Sequence, residues 1–214
     1  FELLLNYKKL IFLFTLISAS AANADVNKFR AIHSLYFGGF IFLETVTDFY
    51  SDKSYYKIIT KSSTKGALNL VFDWKGAVNS TGKIDKTRLV PKNYQSLGRW
   101  GEEIWISELT YNQIGQIAST KVSPLPDVEE IIPLPLNPEI GAIDPLSFIS
   151  QVVINATTGK SCKEEVAVFD GRRRYKLKLE EIGVENLSKT PYSIFKGKAL
   201  ACKLEYTPLG GQRR

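Results

Sequence analysis

Between Val168 and Leu179 the chain reads VFDGRRRYKLKL, and its last eight positions hold five cations: Arg172, Arg173, Arg174, Lys176 and Lys178. Guanidinium and ammonium groups at that density suit phosphate, sulfate or carboxylate partners, because Arg offers a planar fork of donors and Lys a point charge. Hydrolytic chemistry has thinner material. His33 is the only histidine, and no GxSxG, HExxH or phosphate-cradling glycine loop accompanies it. Carboxylates such as Glu102, Glu103 and Asp127 could serve as a glycosidase pair, but no motif selects them. We therefore expect no catalytic residue, no metal and no cofactor, and rank an exported hydrolase below a binding protein.

Cys162 and Cys202 are the two cysteines of the 214 residues. In an oxidising compartment such a pair is more often a structural bridge than a metal or redox site. A reactive thiol or half of a zinc site would need CxxC spacing or further histidines. Closing a loop of roughly 40 residues stabilises by about 4 kcal/mol in the chain-entropy model. The compartment is suggested by the opening segment: Lys8 and Lys9, the apolar run LIFLFTLISASA, then Ala22-Asn23-Ala24 before Asp25. These are the three zones of a secretory signal, with cleavage after Ala24.

The apolar run is too short to cross a bilayer, which needs about 20 residues, and no cysteine follows it to carry a lipid. We expect residues 1–24 to be a signal peptide, and residues 25–214 a soluble, single periplasmic domain without a transmembrane anchor. The net charge of +6 falls to +5 once Glu2, Lys8 and Lys9 are removed. That mild excess, on an exported chain, argues against a nucleic-acid partner.

Short apolar runs separated by Gly and polar breaks fill the first half of the mature chain. SLYF, FIFLETVTDFY and YYKIITKSS read as three meandering antiparallel strands. Residues 67–72 fit one helical turn or a strand, and residues 74–79 look extended. RLVPKNYQSLGRW, EEIWISELTYN and GQIASTKVS supply further strand candidates. The spacing predicts an all-β fold, an antiparallel sheet that curls. Five prolines in residues 124–138 exclude a helix or inner strand, leaving a crossing loop or a boundary. Asp144 at an N-cap, Pro145 at the first helical position and the stripe Leu146, Ile149, Val152, Val153 predict one short amphipathic helix near 145–155, apolar face to the sheet.

Asp170-Gly171 between two extended runs predicts a two-residue hairpin of type I′. Beyond it, Arg172, Arg174, Lys176 and Lys178 alternate with Arg173, Tyr175, Leu177 and Leu179. The first set marks a solvent face, open to an anionic partner such as lipid headgroups or acidic glycans, with Glu164 and Glu165 as cross-strand neighbours. The second set faces the core, where Arg173 would need a carboxylate or carbonyl partner.

The order Asp144-Pro145-Leu146-Ser147, Cys162, VFDGRRRY, then Cys202 within ACKLEYTPLGG resembles the bacterial exported proteins of domain-of-unknown-function family 3108. The glycine-split SLYFGGFIF and the segment TKGALNL are similar to that family's start. The resemblance implies an envelope protein whose curved antiparallel sheet is similar in outline to the half-barrel or β-spiral folds of periplasmic lipoprotein carriers and of related envelope-integrity proteins, with no enzymatic activity attached. The family pattern continues with strands after the second cysteine, so we expect a truncated C-terminus and an edge strand left unpaired. The aromatic-rich chain favours a protein that binds an apolar or lipid-like ligand in the concave face of its sheet. The alternative is a periplasmic interaction scaffold without a small ligand, docking a protein partner through a sheet edge.

Overall fold

The computed structural model describes residues 27–86 and 88–214, so the expected signal segment lies outside the described residues. Seven strands meander in sequence order into one antiparallel sheet: β1 (Asn27–Phe37), β2 (Phe40–Ser51), β3 (Tyr55–Thr64), β4 (Trp74–Asp85), β5 (Arg88–Trp100), β6 (Glu103–Tyr111) and β7 (Ile117–Ser123). The curled sheet stays open at both edges. Gly38 and Gly39, at φ +57° and +86°, close the β1–β2 hairpin between paired Phe37 and Phe40. Positive φ at both central positions is what a tight hairpin turn requires and what glycine supplies without strain. Residues 67–72 resolve into a single helical turn, α1 (Leu68–Val71).

The all-β expectation holds, and a second sheet adds to it. The proline-rich loop runs to the short strand β8 (Ala142–Ile143), followed by α2 (Pro145–Thr157), β9 (Glu164–Phe169), β10 (Arg174–Leu187) and β11 (Gly197–Gly210). The small sheet has the order β11-β10-β9-β8, and its β8–β9 pair is parallel.

Helix α2 lies between the two layers. Leu146, Val153 and Ile154 pack with Phe49, Tyr56, Ile58 and Leu89 of the large sheet, while Phe148 and Val152 pack with Val168, Leu177 and Leu179 of the small one. The sequence predicts a single apolar stripe. The helix instead buries two faces, which explains why Ser147, Ser150 and Asn155 are buried as well. A Cys162–Cys202 disulfide, with Cα atoms 6.4 Å apart, joins the segment just before β9 to β11 beneath this second face. The C-terminal residues are tied to the proline-rich loop: the Ile132 amide donates to the Gln212 carbonyl, the Gly211 amide to the Ile132 carbonyl and the Arg214 amide to the Glu130 carbonyl. Among the described residues β11 pairs with β10 alone.

Candidate functional site

The basic stretch is the first candidate, and its geometry is internal. The loop between β9 and β10 spans four residues, because Arg174 pairs with Phe169. Asp170 Oδ1 accepts from the amides of Arg172 (2.9 Å) and Arg173 (2.7 Å), and only Gly171 has positive φ, +91°. The carboxylate cap therefore replaces the expected type I′ turn with a wider one, which takes Arg172 and Arg173 out of the strand. A Cβ on Gly171 would meet Ser107 Cβ at 3.1 Å, so the turn is pressed against β6.

Arg172 is consequently not on the solvent face. Its guanidinium donates to Ser107 Oγ (3.2 Å), the Ile106 carbonyl (3.2 Å) and the Ser123 carbonyl (2.8 Å), clamping the small sheet to β6 and β7. Arg173 is exposed rather than turned to the core, a correction that follows from the same extra loop residues. The Arg174 guanidinium caps the carbonyls of Pro138 and Ile140. Lys176 pairs with Glu165 at 3.1 Å and Lys178 with Glu180 at 2.6 Å. Tyr175, Leu177 and Leu179 do face inward, Tyr175 against the Tyr206 ring at 5.0 Å. The four cations expected to meet an anionic partner thus each have a partner within the chain.

A second cluster gathers hydroxyls and one carboxylate. Asp144 caps α2, its Oδ1 accepting from the Ser147 amide at 2.8 Å. Its Oδ2 accepts from the hydroxyls of Ser147, Ser80 (3.3 Å) and Tyr111 (3.0 Å), and the Tyr111 hydroxyl accepts in turn from the Asp144 amide at 2.8 Å. Ser147 Oγ also bonds the Tyr56 hydroxyl at 2.7 Å. Burial pushes the Asp144 carboxyl above its ordinary value, outweighing the hydrogen bonds that favour its charged form. It likewise pushes the Tyr56 and Tyr111 phenols far up. Asp144, Ser147, Ser80 and Tyr56 are each 0% exposed, so the cluster has no opening to a substrate. Its geometry fits a pin that holds the helix start to the sheet. The sequence places Asp144, Pro145 and Ser147 correctly at the helix start, but its partners lie up to 91 residues away.

The third candidate emerges from strand register. Residues paired across a sheet share one face, so the inner face can be read in rows. The row Phe49, Ile58, Ser80, Tyr94, Leu109 is buried beneath α2 and β8–β9. The next row, Thr47, Thr60, Val78, Ser96, Ser107, is the boundary. Above it come Thr45, Ser62, Gly76, Gly98 and Trp105, and then Trp74 paired with Trp100.

At that end the face changes character. Gly76 and Gly98 leave bare backbone on two adjacent strands, and the Trp74 indole lies across it: a Cβ on Gly76 would sit 2.7 Å from the ring. A Cβ on Gly98 would be 3.8 Å from Trp74 and 3.9 Å from Trp105. Phe72 tilts against Trp100 at 4.6 Å, and Trp100 lies 6.4 Å from Trp105. None of these three indoles belongs to a buried core cluster, and Trp100 is 45% exposed. The nearby hydroxyls satisfy one another, Thr45 with Ser62 (2.8 Å) and Thr47 with Thr60 (3.2 Å). An apolar guest would therefore leave those four hydroxyls paired.

The residues weighed for hydrolysis are dispersed. His33 is exposed on β1 opposite Thr45. Glu102 lies in the β5–β6 turn and Glu103 opens β6, and Asp127 accepts from the Glu129 amide within its own loop. Among the described residues no group of three His, Cys, Asp or Glu side chains could hold a metal, and no helix is long and apolar enough to cross a membrane.

An open antiparallel half-barrel, plugged at one end by a helix, bridged by a disulfide and lined at the other end by indoles, defines a class of β-rich domain. Within that class the chain belongs to the DUF3108 family, described as proteins of unknown function, whose model matches residues 33–214. Comparison with curated proteins and with solved structures finds no match.

Proposed function

We propose that this protein is an exported, non-enzymatic envelope protein that holds an elongated apolar ligand, such as an acyl chain, on the unplugged end of its inner face. The observation that carries the reading is the division of that face. Helix α2 and the small sheet bury the rows through Phe49 and Tyr94, and the indoles of Trp74, Trp100 and Trp105 line the rows beyond them. Aromatic side chains supply large apolar area at low entropic cost, as ligand pockets commonly require. A periplasmic location is supported by the secretory pattern of residues 1–24 and by the buried disulfide.

Native mass spectrometry of the oxidised protein, before and after organic extraction, tests this. Extra mass that leaves with the solvent, and that is lost in a Gly98→Leu variant filling the space between Trp74 and Trp105, is the expected result. A ligand-free wild type would overturn it. A scaffold role is favoured by the long edge of β11, which has no strand on its outer side among the described residues. Recovery of a crosslinked protein partner through that edge, from ligand-free protein, would support the scaffold instead.

A further inference from the structure

The end of the molecule beyond the indoles carries a surface that meets the inner face only at Trp100. Four connections converge there. The α1 turn lies against the β1–β2 hairpin, where a cleft of about 810 Å³ is lined by Tyr36, Phe37, Phe40, Ile41, Ala67 and Leu68. The β5–β6 turn joins through Trp100 against Phe72, and the β10–β11 connection joins through Tyr192, whose ring meets Tyr36 edge-on at 5.0 Å. Three of these connections end in apolar side chains that project into solvent: Phe37 is 82% exposed, Phe40 80%, Leu70 89% and Ile194 93%, whereas the β5–β6 turn ends in Gly101 and Glu102.

We propose that this end docks on an anionic lipid bilayer, with the three apolar tips inserted among the acyl chains and the β5–β6 turn left outside them. Three observations favour a bilayer over a protein partner. The apolar side chains stand on separate protruding turns, whereas protein interfaces pack a continuous patch at core density. Behind the aliphatic and Phe tips sit Tyr36, Trp100 and Tyr192, the amphipathic rings that settle at headgroup depth. The fourth connection also brings charge of the right sign: Lys189, Lys196 and Lys198 are exposed, and no acidic residue occurs between 186 and 204. Lysines near an anionic surface contribute on the order of 1 kcal/mol each, equivalent to about fivefold in binding.

The test is flotation of the purified oxidised protein with vesicles of equal parts phosphatidylethanolamine and phosphatidylglycerol, compared with vesicles of phosphatidylcholine alone. The expected result is binding to the anionic vesicles, weakened roughly tenfold or more by Phe37→Ser with Phe40→Ser. Replacing Lys189, Lys196 and Lys198 by Ser should cost about fivefold per lysine on anionic vesicles and nothing on neutral ones. All five side chains are exposed, so the variants keep the wild-type melting temperature.

The docking idea is overturned by absent vesicle binding, or by binding that the phenylalanine pair leaves unchanged. A concentration-dependent dimer that the same pair dissolves, without vesicle binding, would make this end an interface between copies of the chain. Ligand mass in the native spectrum of the phenylalanine variant is read separately, so docking and ligand binding fail independently.

Discussion

The two ends of the same inner face make opposite use of similar side chains. At the plugged end, Tyr56, Tyr94 and Phe49 are buried, and the hydroxyls of Tyr56, Ser80, Ser147 and Tyr111 find partners around Asp144. At the unplugged end, three tryptophans rest on glycines and on each other, with no helix above them. The aromatic residues alone do not set the difference. It is set by a 13-residue helix that covers only part of the face, and so stability and binding are assigned to separate rows of one sheet.

The largest effect should come from the bridge at the plugged end. Replacing Cys162 and Cys202 by Ser frees a loop of sequence separation 40 and is expected to cost about 4 kcal/mol, measured by urea denaturation followed by far-UV circular dichroism. An unchanged midpoint would mean that α2 alone holds the two layers together.

Asp144→Ala comes next. It strips the acceptor from Ser147, Ser80 and Tyr111 at a fully buried site, and about 3 kcal/mol is expected. The pH dependence has a definite sign. Because burial raises the Asp144 value in the fold, its carboxyl favours folding below the unfolded value near ~4. That contribution is lost as pH rises towards the folded value. The exposed carboxylates behave in the opposite way: the Arg30 hydrogen bond lowers Asp48, and the Lys178 hydrogen bond lowers Glu180, so their contribution is lost as pH falls. Subtracting an Asp144→Asn denaturation series from the wild-type series should isolate the first slope. A flat difference would remove the assigned cause.

Arg172→Ala unclips the β9–β10 turn from β6 and β7 and should cost about 1–2 kcal/mol, since three charge-assisted bonds are lost at a half-exposed site. At the unplugged end the stability effects shrink. Trp100→Ala is expected within about 0.5 kcal/mol of wild type while reducing retained ligand mass. A loss comparable to that of Asp144→Ala would show that the two ends belong to one core and would erase the contrast.

Much of the fold was legible because it is local. Alternation marks β2, β3, β6 and β10, the glycine pair marks the first hairpin, and Asp144-Pro145 marks the start of α2. The cysteine pairing needed only two candidates. Relations that depend on register were not legible. Nothing in the sequence around Gly76, Gly98 or Trp105 indicates that they form one row, because their alignment is fixed by two separate turns. The cations of the β9–β10 loop were misplaced for a related reason. Asp170 accepts from two amides instead of one, the loop gains two residues, and Arg172 changes from a surface charge to a clamp. The two buried faces of α2 were also hidden, since Ser147 and Ser150 look like a wet side until Tyr56 and the Leu146 carbonyl satisfy them.

The three indoles at the unplugged end are all the tryptophans the chain has. Excited above the tyrosine absorption band, the molecule therefore emits from one end only. Its emission wavelength reports the polarity of that end alone, and Phe72, Trp100 and Trp105 are close enough to give coupled near-ultraviolet signals. The plugged end, with its tyrosines and disulfide, is dark in the same experiment. Two wavelengths thus separate the two halves of the domain without any label.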